Sequence, residues 1–233
     1  MLITTAIYGW MILGQKFPEA ANSEMSTSTN IKALFTPLFI FMFVCMTMTS
    51  ISEFGAQQWV GRIFESSDVH PMMILALTAG LMALGRFFAG PLVHAFNPAG
   101  VLVMSAVVTT IGLLLLSQAS GYMIYVSAAV FALGVTYFWP TMIGFTSEYM
   151  PKTGALGMSL IGGAGMFSVS MWNPVIGGWL DQAKKDAIES GITGDAIELV
   201  AGQATLQNLA MIPGVLIVAF GVLFVLRKRF AHK

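Results

Sequence analysis

Six long apolar stretches constrain this chain more than any other feature of its sequence. They run near residues 33–55, 71–92, 99–118, 122–146, 155–178 and 206–226 and contain almost no charged residues. A helix needs about 20 apolar residues to cross a hydrocarbon layer about 30 Å thick, and each stretch is about that long. Charged residues make up only 9% of the chain, against about 25% in ordinary globular domains. The sequence therefore predicts an all-α, polytopic membrane protein with six transmembrane helices.

The distribution of cations predicts which side of the membrane each loop occupies. Cytoplasmic loops of membrane proteins carry an excess of Lys and Arg. With a cytoplasmic C-terminus, eight of the eleven Lys and Arg residues fall on that side, namely Lys16, Lys32, Arg86, Lys152, Arg227, Lys228, Arg229 and Lys233. We therefore expect a multi-pass protein of the cell membrane (inner or plasma membrane) with its C-terminus in the cytoplasm. The formal net charge of zero gives no indication of nucleic-acid binding.

The segments outside the apolar stretches predict the remaining organisation. Residues 1–14 contain an apolar run of about 12 residues, which is too short to span a bilayer as a helix. We expect it to be the tail of a preceding membrane helix in a longer protein, with an interfacial anchor helix as the alternative. Residues 15–32 are rich in Ser, Thr and Glu and predict a cytoplasmic linker. The six-helix bundle then covers residues 33–227, and residues 228–233 form a cytoplasmic tail.

The sequence offers few groups for catalysis or metal binding. A single cysteine, Cys45, permits no internal disulfide, and the three histidines are too scattered to form a Cys/His cluster with metal-ligand spacing. Neither a glycine-rich phosphate loop nor a Ser/His/Asp set on one face occurs in the sequence. We therefore expect no metal, no cofactor and no enzymatic activity.

Glycine and proline predict how the apolar helices pack and where they break. Small residues at a spacing of four, such as Ala155, Ser159 and Gly163 with Gly162 and Gly165 beside them, allow membrane helices to approach closely. Pro140 and Pro174 lie inside two of the apolar stretches, and each frees a backbone carbonyl in the preceding turn. Interrupted helices near the middle of the membrane point to the binding sites of transporters.

Three motifs resemble segments of the major facilitator superfamily. The first is GRFFAGP at residues 85–91, which resembles the repeated cytoplasmic loop motif of that superfamily, although His94 stands where the motif often has an acid. The second is GVTYFWPT at residues 134–141, which continues to EYMP at 148–151 and is similar to the tenth helix and following loop of sugar-type permeases. The third is PVIGGWLD at residues 174–181, similar to the end of the eleventh helix.

This resemblance implies a fold and a function. The six stretches would be helices seven to twelve, the C-terminal half of a major facilitator fold, completed by a missing N-terminal six-helix half or by a second copy. The implied function is secondary active transport by alternating access of a small polar solute such as a sugar or nucleoside, together with protons. The expected partners are therefore that solute, protons and the lipid bilayer. The alternative is a truncated or half-length membrane protein that serves as a non-transporting assembly or sensing subunit.

Polar and ionisable residues inside the apolar stretches are the candidate functional groups. Glu53 closes an apolar run, and desolvation there disfavours the charged form of a carboxyl, so we predict that Glu53 binds the coupling proton. A solvated carboxylate at the membrane interface is the alternative. Amides and aromatic rings hold sugars and similar polyols. The predicted substrate-binding residues are Gln57, Gln58, Tyr137, Trp139 and Asn173.

Arg86 and Glu148 are the predicted gating residues. Both lie toward the cytoplasmic ends of their apolar stretches. The resemblance implies that cations and acids at these ends pair to hold an inner gate shut, either with each other or with groups in the missing half. The alternative for Arg86 is that its side chain reaches a lipid phosphate.

Overall fold

The structure is a computed structural model that describes residues 2–13, 27–64, 69–194 and 196–230. Within those residues the chain is helical and forms no strand. A π-helical turn (Ile51–Gly55) joins α3 to α4, and a 3-10 turn (Pro151–Thr153) precedes α9. The helices are α1 (Leu2–Ile12), α2 (Thr27–Leu34), α3 (Pro37–Ser50), α4 (Ala56–Ile63), α5 (Pro71–Phe87), α6 (Ala89–Leu116), α7 (Met123–Val135), α8 (Phe138–Tyr149), α9 (Gly154–Glu189), α10 (Ala196–Leu209) and α11 (Met211–Phe230).

Five helical segments are long and apolar enough to cross a membrane, judged by length and composition. They are Pro37–Gly61, Phe96–Leu116, Met123–Tyr149, Pro151–Glu189 and Ala196–Leu226. The stretch predicted near 71–92 instead forms α5, which has 17 residues and ends at Phe87. The all-α class and the presence of several membrane-length apolar helices are therefore confirmed, and the count of six spans stays a prediction.

The motif at residues 85–91 lies where α5 ends and α6 begins. Phe88 leaves the helical region, with φ −95° and ψ 16°. α6 then bends at Asn97, whose φ of 53° lies in the left-handed region. The Asn97 side chain accepts a hydrogen bond from the backbone nitrogen of Gly100 at 3.1 Å, and Pro98 follows it. Asn97 thus caps the membrane-length part of α6, and Pro98 occupies its first turn, where a missing N–H costs nothing.

The segment after the fifth predicted stretch continues as helix. α9 contains 36 residues and is therefore about 54 Å long, more than a hydrocarbon layer requires. Its far end pairs with the next helix, because Lys184 donates to Glu198 of α10. The turn between the two helices uses Gly191 and Gly194, whose positive φ angles of 83° and 69° suit glycine.

The structure describes only part of each predicted terminal segment. Residues 2–12 form α1, and its side chains from Thr5 onward are exposed. The predicted linker over 15–32 lies outside the described residues as far as 26, and its remainder is part of α2, so the end of that segment is helical. The predicted tail over 228–233 is described only as the backbone of α11, which ends at Phe230.

The helices pack around one apolar core. α6 packs against α7, α8 and α11, whereas α3 packs against α8 and α9. A close approach of α9 to α3 occurs at Gly165, where an added Cβ would lie 2.5 Å from Ser50 Oγ. Ala155, Ser159 and Gly163 are exposed, so the close contact of α9 uses a different face from the one that their spacing predicts.

Candidate functional site

Glu53 lies inside the helical bundle, in the π-helical turn between α3 and α4. A π turn inserts an extra residue into the helical ladder, and such turns are frequent at functional sites. The Glu53 side chain is 2% exposed, and its neighbours Ile51 and Ser52 are fully buried. The turn packs tightly against α9, because a Cβ at Gly55 would lie 3.2 Å from Ile176 Cδ1. Glu53 is therefore a buried carboxyl, and the alternative of a solvated interfacial carboxylate is wrong for this conformation.

Glu53 forms a salt bridge with Arg86 of α5. Arg86 Nη2 donates to Glu53 Oε1 at 3.2 Å. The second carboxyl oxygen, Oε2, has no hydrogen-bond partner among the residues that the structure describes. A buried charge is costly unless it is paired, and this holds most strongly at membrane depth. The Arg86 side chain is 39% exposed, so the arginine lies between the buried carboxyl and the open side of the bundle.

A proline in α8 explains how Arg86 is held. In an uninterrupted helix the backbone N–H of residue 140 would donate to the carbonyl of residue 136. Pro140 has no N–H, which leaves the Thr136 carbonyl free at the break between α7 and α8. Arg86 Nε donates to that carbonyl oxygen at 3.0 Å. The guanidinium therefore bridges a broken helix and a buried carboxylate.

A cavity of about 480 Å³ opens beside this ion pair. An aromatic pair forms part of its wall, with the rings of Phe54 and Trp139 packed edge to face and their centroids 5.8 Å apart. The indole Nε1 of Trp139 has no hydrogen-bond partner in the described part of the chain. An apolar pocket with a few convergent polar groups is the usual form of a small-molecule site. The lining side chains are Glu53, Phe54, Gln57, Leu75, Ala79, Met82, Ala83, Arg86, Trp139 and Met166.

Four of the eight predicted site residues line this one cavity: Glu53, Gln57, Arg86 and Trp139. The Gln57 amide nitrogen lies 3.4 Å from the sulfur of Met82. A thioether is a weak acceptor, so this contact competes poorly with a ligand oxygen.

The other four predicted residues lie elsewhere. Gln58 and Glu148 are exposed and do not line the cavity. Asn173 lies on α9, outside the lining, and its Oδ1 has no partner among described residues. Tyr137 packs beside α5, where its hydroxyl oxygen would lie 3.4 Å from a Cβ at Gly85.

The predicted direct pair of Arg86 with Glu148 is replaced by the pair of Arg86 with Glu53. The reason is geometric. Arg86 binds the carbonyl of Thr136, and Glu148 lies twelve residues farther along the chain, about 18 Å away at helical rise. An arginine side chain does not reach that far. A gating role for Arg86 and Glu148 in another conformation stays a prediction.

The sequence analysis did not identify the Thr136 carbonyl or the cavity residues Phe54, Met82 and Met166. The signal for Thr136 is present in the sequence, because a proline inside an apolar helix frees the carbonyl four residues before it. No comparable signal marks the other three, since apolar side chains at helical spacing fill any membrane helix.

Comparison of the chain with protein-family models, with curated proteins and with solved structures found no match in any of the three. The likeness of the three motifs to the major facilitator superfamily therefore stays a prediction. What the site can do chemically is therefore inferred from its geometry alone.

Proposed function

We propose that this chain belongs to a secondary active transporter that moves a small polar solute together with protons by alternating access. The observation that carries the proposal is the buried pair of Glu53 and Arg86 beside a cavity, within a bundle of membrane-length helices. Ionisable groups inside membrane helices are rare, and they mark solute pathways and proton relays. A purely structural bundle has little need of such a pair.

The carboxyl of Glu53 is suited to proton binding. It is buried, and one of its oxygens has no hydrogen-bond partner among the described residues, so this oxygen can accept a proton. Protonation would remove the charge that holds Arg86, so the arginine would then be free to bind another group. A proton and a solute can therefore bind and leave at the same site.

The rest of the cavity supports a polar solute. The Gln57 amide supplies a hydrogen-bond donor, and the edge-to-face pair of Phe54 and Trp139 supplies an apolar wall. Sugars and nucleosides present both hydroxyl groups and apolar faces. Alternating access also requires a second bundle against which this one rocks. Another segment of a longer chain, or a second copy, would supply it.

Proteoliposomes of the full protein provide the test. In an uptake screen that includes sugars, sugar acids and nucleosides, we expect at least one solute to drive proton uptake, and we expect Glu53→Gln to abolish that uptake. Glu189→Gln makes the same chemical change at the exposed end of α9 and should leave proton uptake unchanged. Undiminished proton uptake by Glu53→Gln would remove Glu53 from the mechanism. Failure to transport any solute would favour the non-transporting alternative.

A further inference from the structure

The charges of the cavity restrict the solute further than its polar lining does. Among the described residues that line it, Glu53 and Arg86 carry the titratable and charged groups. The elements packed around the π-helical turn contribute uncharged side chains, such as Gln57 from α4 and Met166 from α9. Glu53 and Arg86 cancel each other, so the empty cavity is neutral. A neutral site is the state that a low-dielectric interior favours.

We propose that this cavity takes a small monocarboxylate, such as a sugar acid, whose carboxylate replaces Glu53 on Arg86 while Glu53 accepts one proton. This inference rests on the proposed function and narrows its substrate class from polar solutes to monoanions.

Of the two charged groups in the cavity, only Glu53 can change its charge. A guanidinium stays protonated in proteins, whereas a carboxyl gains a proton readily. The site can therefore compensate for one added negative charge, by protonating Glu53, but it cannot compensate for an added positive charge. A neutral solute that bound together with a proton would leave Arg86 as an uncompensated cation. Of the three charge classes, only the monoanion restores neutrality when one proton accompanies it.

The geometry of Arg86 suits this exchange. Its Nε is bound to the Thr136 carbonyl, which fixes the plane of the guanidinium independently of Glu53. Only Nη2 contacts the carboxylate, and Nη1 makes no hydrogen bond within the described residues. Guanidinium groups bind carboxylates through two parallel N–H donors. An incoming carboxylate that used both terminal nitrogens would make two hydrogen bonds where Glu53 makes one.

The cycle balances in charge and in protons. The solute brings one negative charge, and one proton from the same side of the membrane binds to Glu53. The loaded cavity then contains the cationic Arg86, the anionic solute and the neutral Glu53, which sum to zero. On the other side the solute and the proton leave, and the pair of Glu53 and Arg86 forms again. No net charge crosses the membrane.

The test is a binding measurement on the full protein in detergent with matched probe pairs. D-glucuronate is compared with D-glucose, and L-lactate with 1,2-propanediol, because the members of each pair differ mainly in the carboxylate. We expect an acid to bind roughly tenfold or more tightly than its neutral partner, as a charge-assisted bidentate contact implies. A pH indicator in weak buffer should record about one proton taken up per acid bound.

Variants separate the two roles. Glu53→Gln should keep acid binding but lose its proton uptake, whereas Arg86→Gln should lose acid binding. Glu189→Gln should change neither. Arg86→Lys keeps the charge without the two-pronged donor and should weaken acid binding, which provides a second measurement if Arg86→Gln does not fold.

Three results would overturn the inference: neutral probes that bind as tightly as the acids, acid binding without proton uptake, or no acid binding. Each of these three results differs from the results that would reject the proposed function. Proton-coupled transport of a neutral solute would keep the transporter and reject the monocarboxylate. Acid binding with proton uptake, but without transport in proteoliposomes, would keep the site and reject the transporter.

Discussion

Gly134 of α7 approaches Thr109 of α6 so closely that a Cβ at position 134 would lie 2.4 Å from the Thr109 backbone nitrogen. The same kind of contact occurs with the two helices exchanged. A Cβ at Gly112 of α6 would lie 2.5 Å from the Cα of Phe131 of α7. Each helix thus places a glycine against the backbone of the other, which is how membrane helices gain close packing without a hydrophobic driving force. The end of α7 leads directly to Thr136, so this contact also fixes the carbonyl that holds Arg86.

Substitution of Gly134 by alanine should therefore destabilise the protein. The new methyl group meets the side-chain hydroxyl of Thr109 and also its backbone nitrogen and Cα. Backbone atoms cannot rotate away, so α6 and α7 must separate. Overpacking of this kind costs about 1–3 kcal/mol. The measurement is the free energy of unfolding in detergent, or the midpoint of thermal unfolding.

Gly144→Ala in α8 is the matched control. A Cβ at that position meets nothing within 4 Å, and alanine favours helix over glycine by roughly 1 kcal/mol. We expect the control to be neutral or slightly stabilising. Equal destabilisation by the two substitutions would contradict the close contact at Gly134.

The bridge between Arg86 and the broken helix can be tested by restoring the missing donor. Pro140→Ala supplies a backbone N–H that can bind the Thr136 carbonyl, so that carbonyl no longer needs Arg86. Arg86→Gln should therefore cost about 1 kcal/mol less in the Pro140→Ala background than in the native protein. The measurement is a double-mutant cycle on the free energy of unfolding.

Pro174→Ala in α9 makes the same chemical change in a different helix and serves as the control. A cycle between Pro174→Ala and Arg86→Gln should be additive. Additivity in the Pro140 cycle as well would show that the hydrogen bond to Thr136 contributes nothing measurable.

Four of the ten residues that line the cavity, and the proline in α8, could be predicted from the sequence for one physical reason: each is a local exception to an otherwise apolar pattern. Glu53 and Gln57 are visible because polar and ionisable residues inside membrane helices are costly. Pro140 is visible because it removes a backbone hydrogen bond of its helix. The residues that they contact are harder to predict from the sequence. That Arg86 meets Glu53 depends on how α5 lies against the π-helical turn, and no spacing along the chain encodes that contact.

The glycines illustrate the same limit. A spacing of four identifies a face of small residues but not the neighbour that it meets. Gly163 satisfies the spacing and is exposed, whereas Gly112 and Gly134 form no such pattern between them and yet make close backbone contacts of α6 with α7. Close approach is a property of two helices together, so one helix's sequence does not determine it.

The choice of partner for Arg86 gives a third prediction. In a double-mutant cycle on the free energy of unfolding, Arg86→Gln and Glu53→Gln should show a coupling energy of about 0.5–3 kcal/mol, as residues in direct contact do. Arg86→Gln and Glu148→Gln should be additive, because these side chains do not meet in this conformation. Coupling between Arg86 and Glu148 that exceeds the coupling with Glu53 would instead support the predicted gate, in a state where the two ends come together.

Whether α5 crosses the membrane decides the number of spans, because its 17 residues lie at the short end of what a spanning helix requires. His70 precedes α5 and Gly90 follows it, and both residues are exposed. If α5 spans and the C-terminus is cytoplasmic, as the distribution of cations predicts, a cysteine at position 70 should react with an impermeant maleimide on intact cells, and a cysteine at position 90 only after permeabilisation. Native Cys45 is 2% exposed and should contribute little background. Reaction of both introduced cysteines from the same side would mean that α5 enters and leaves by one face, which would reduce the bundle to five spans.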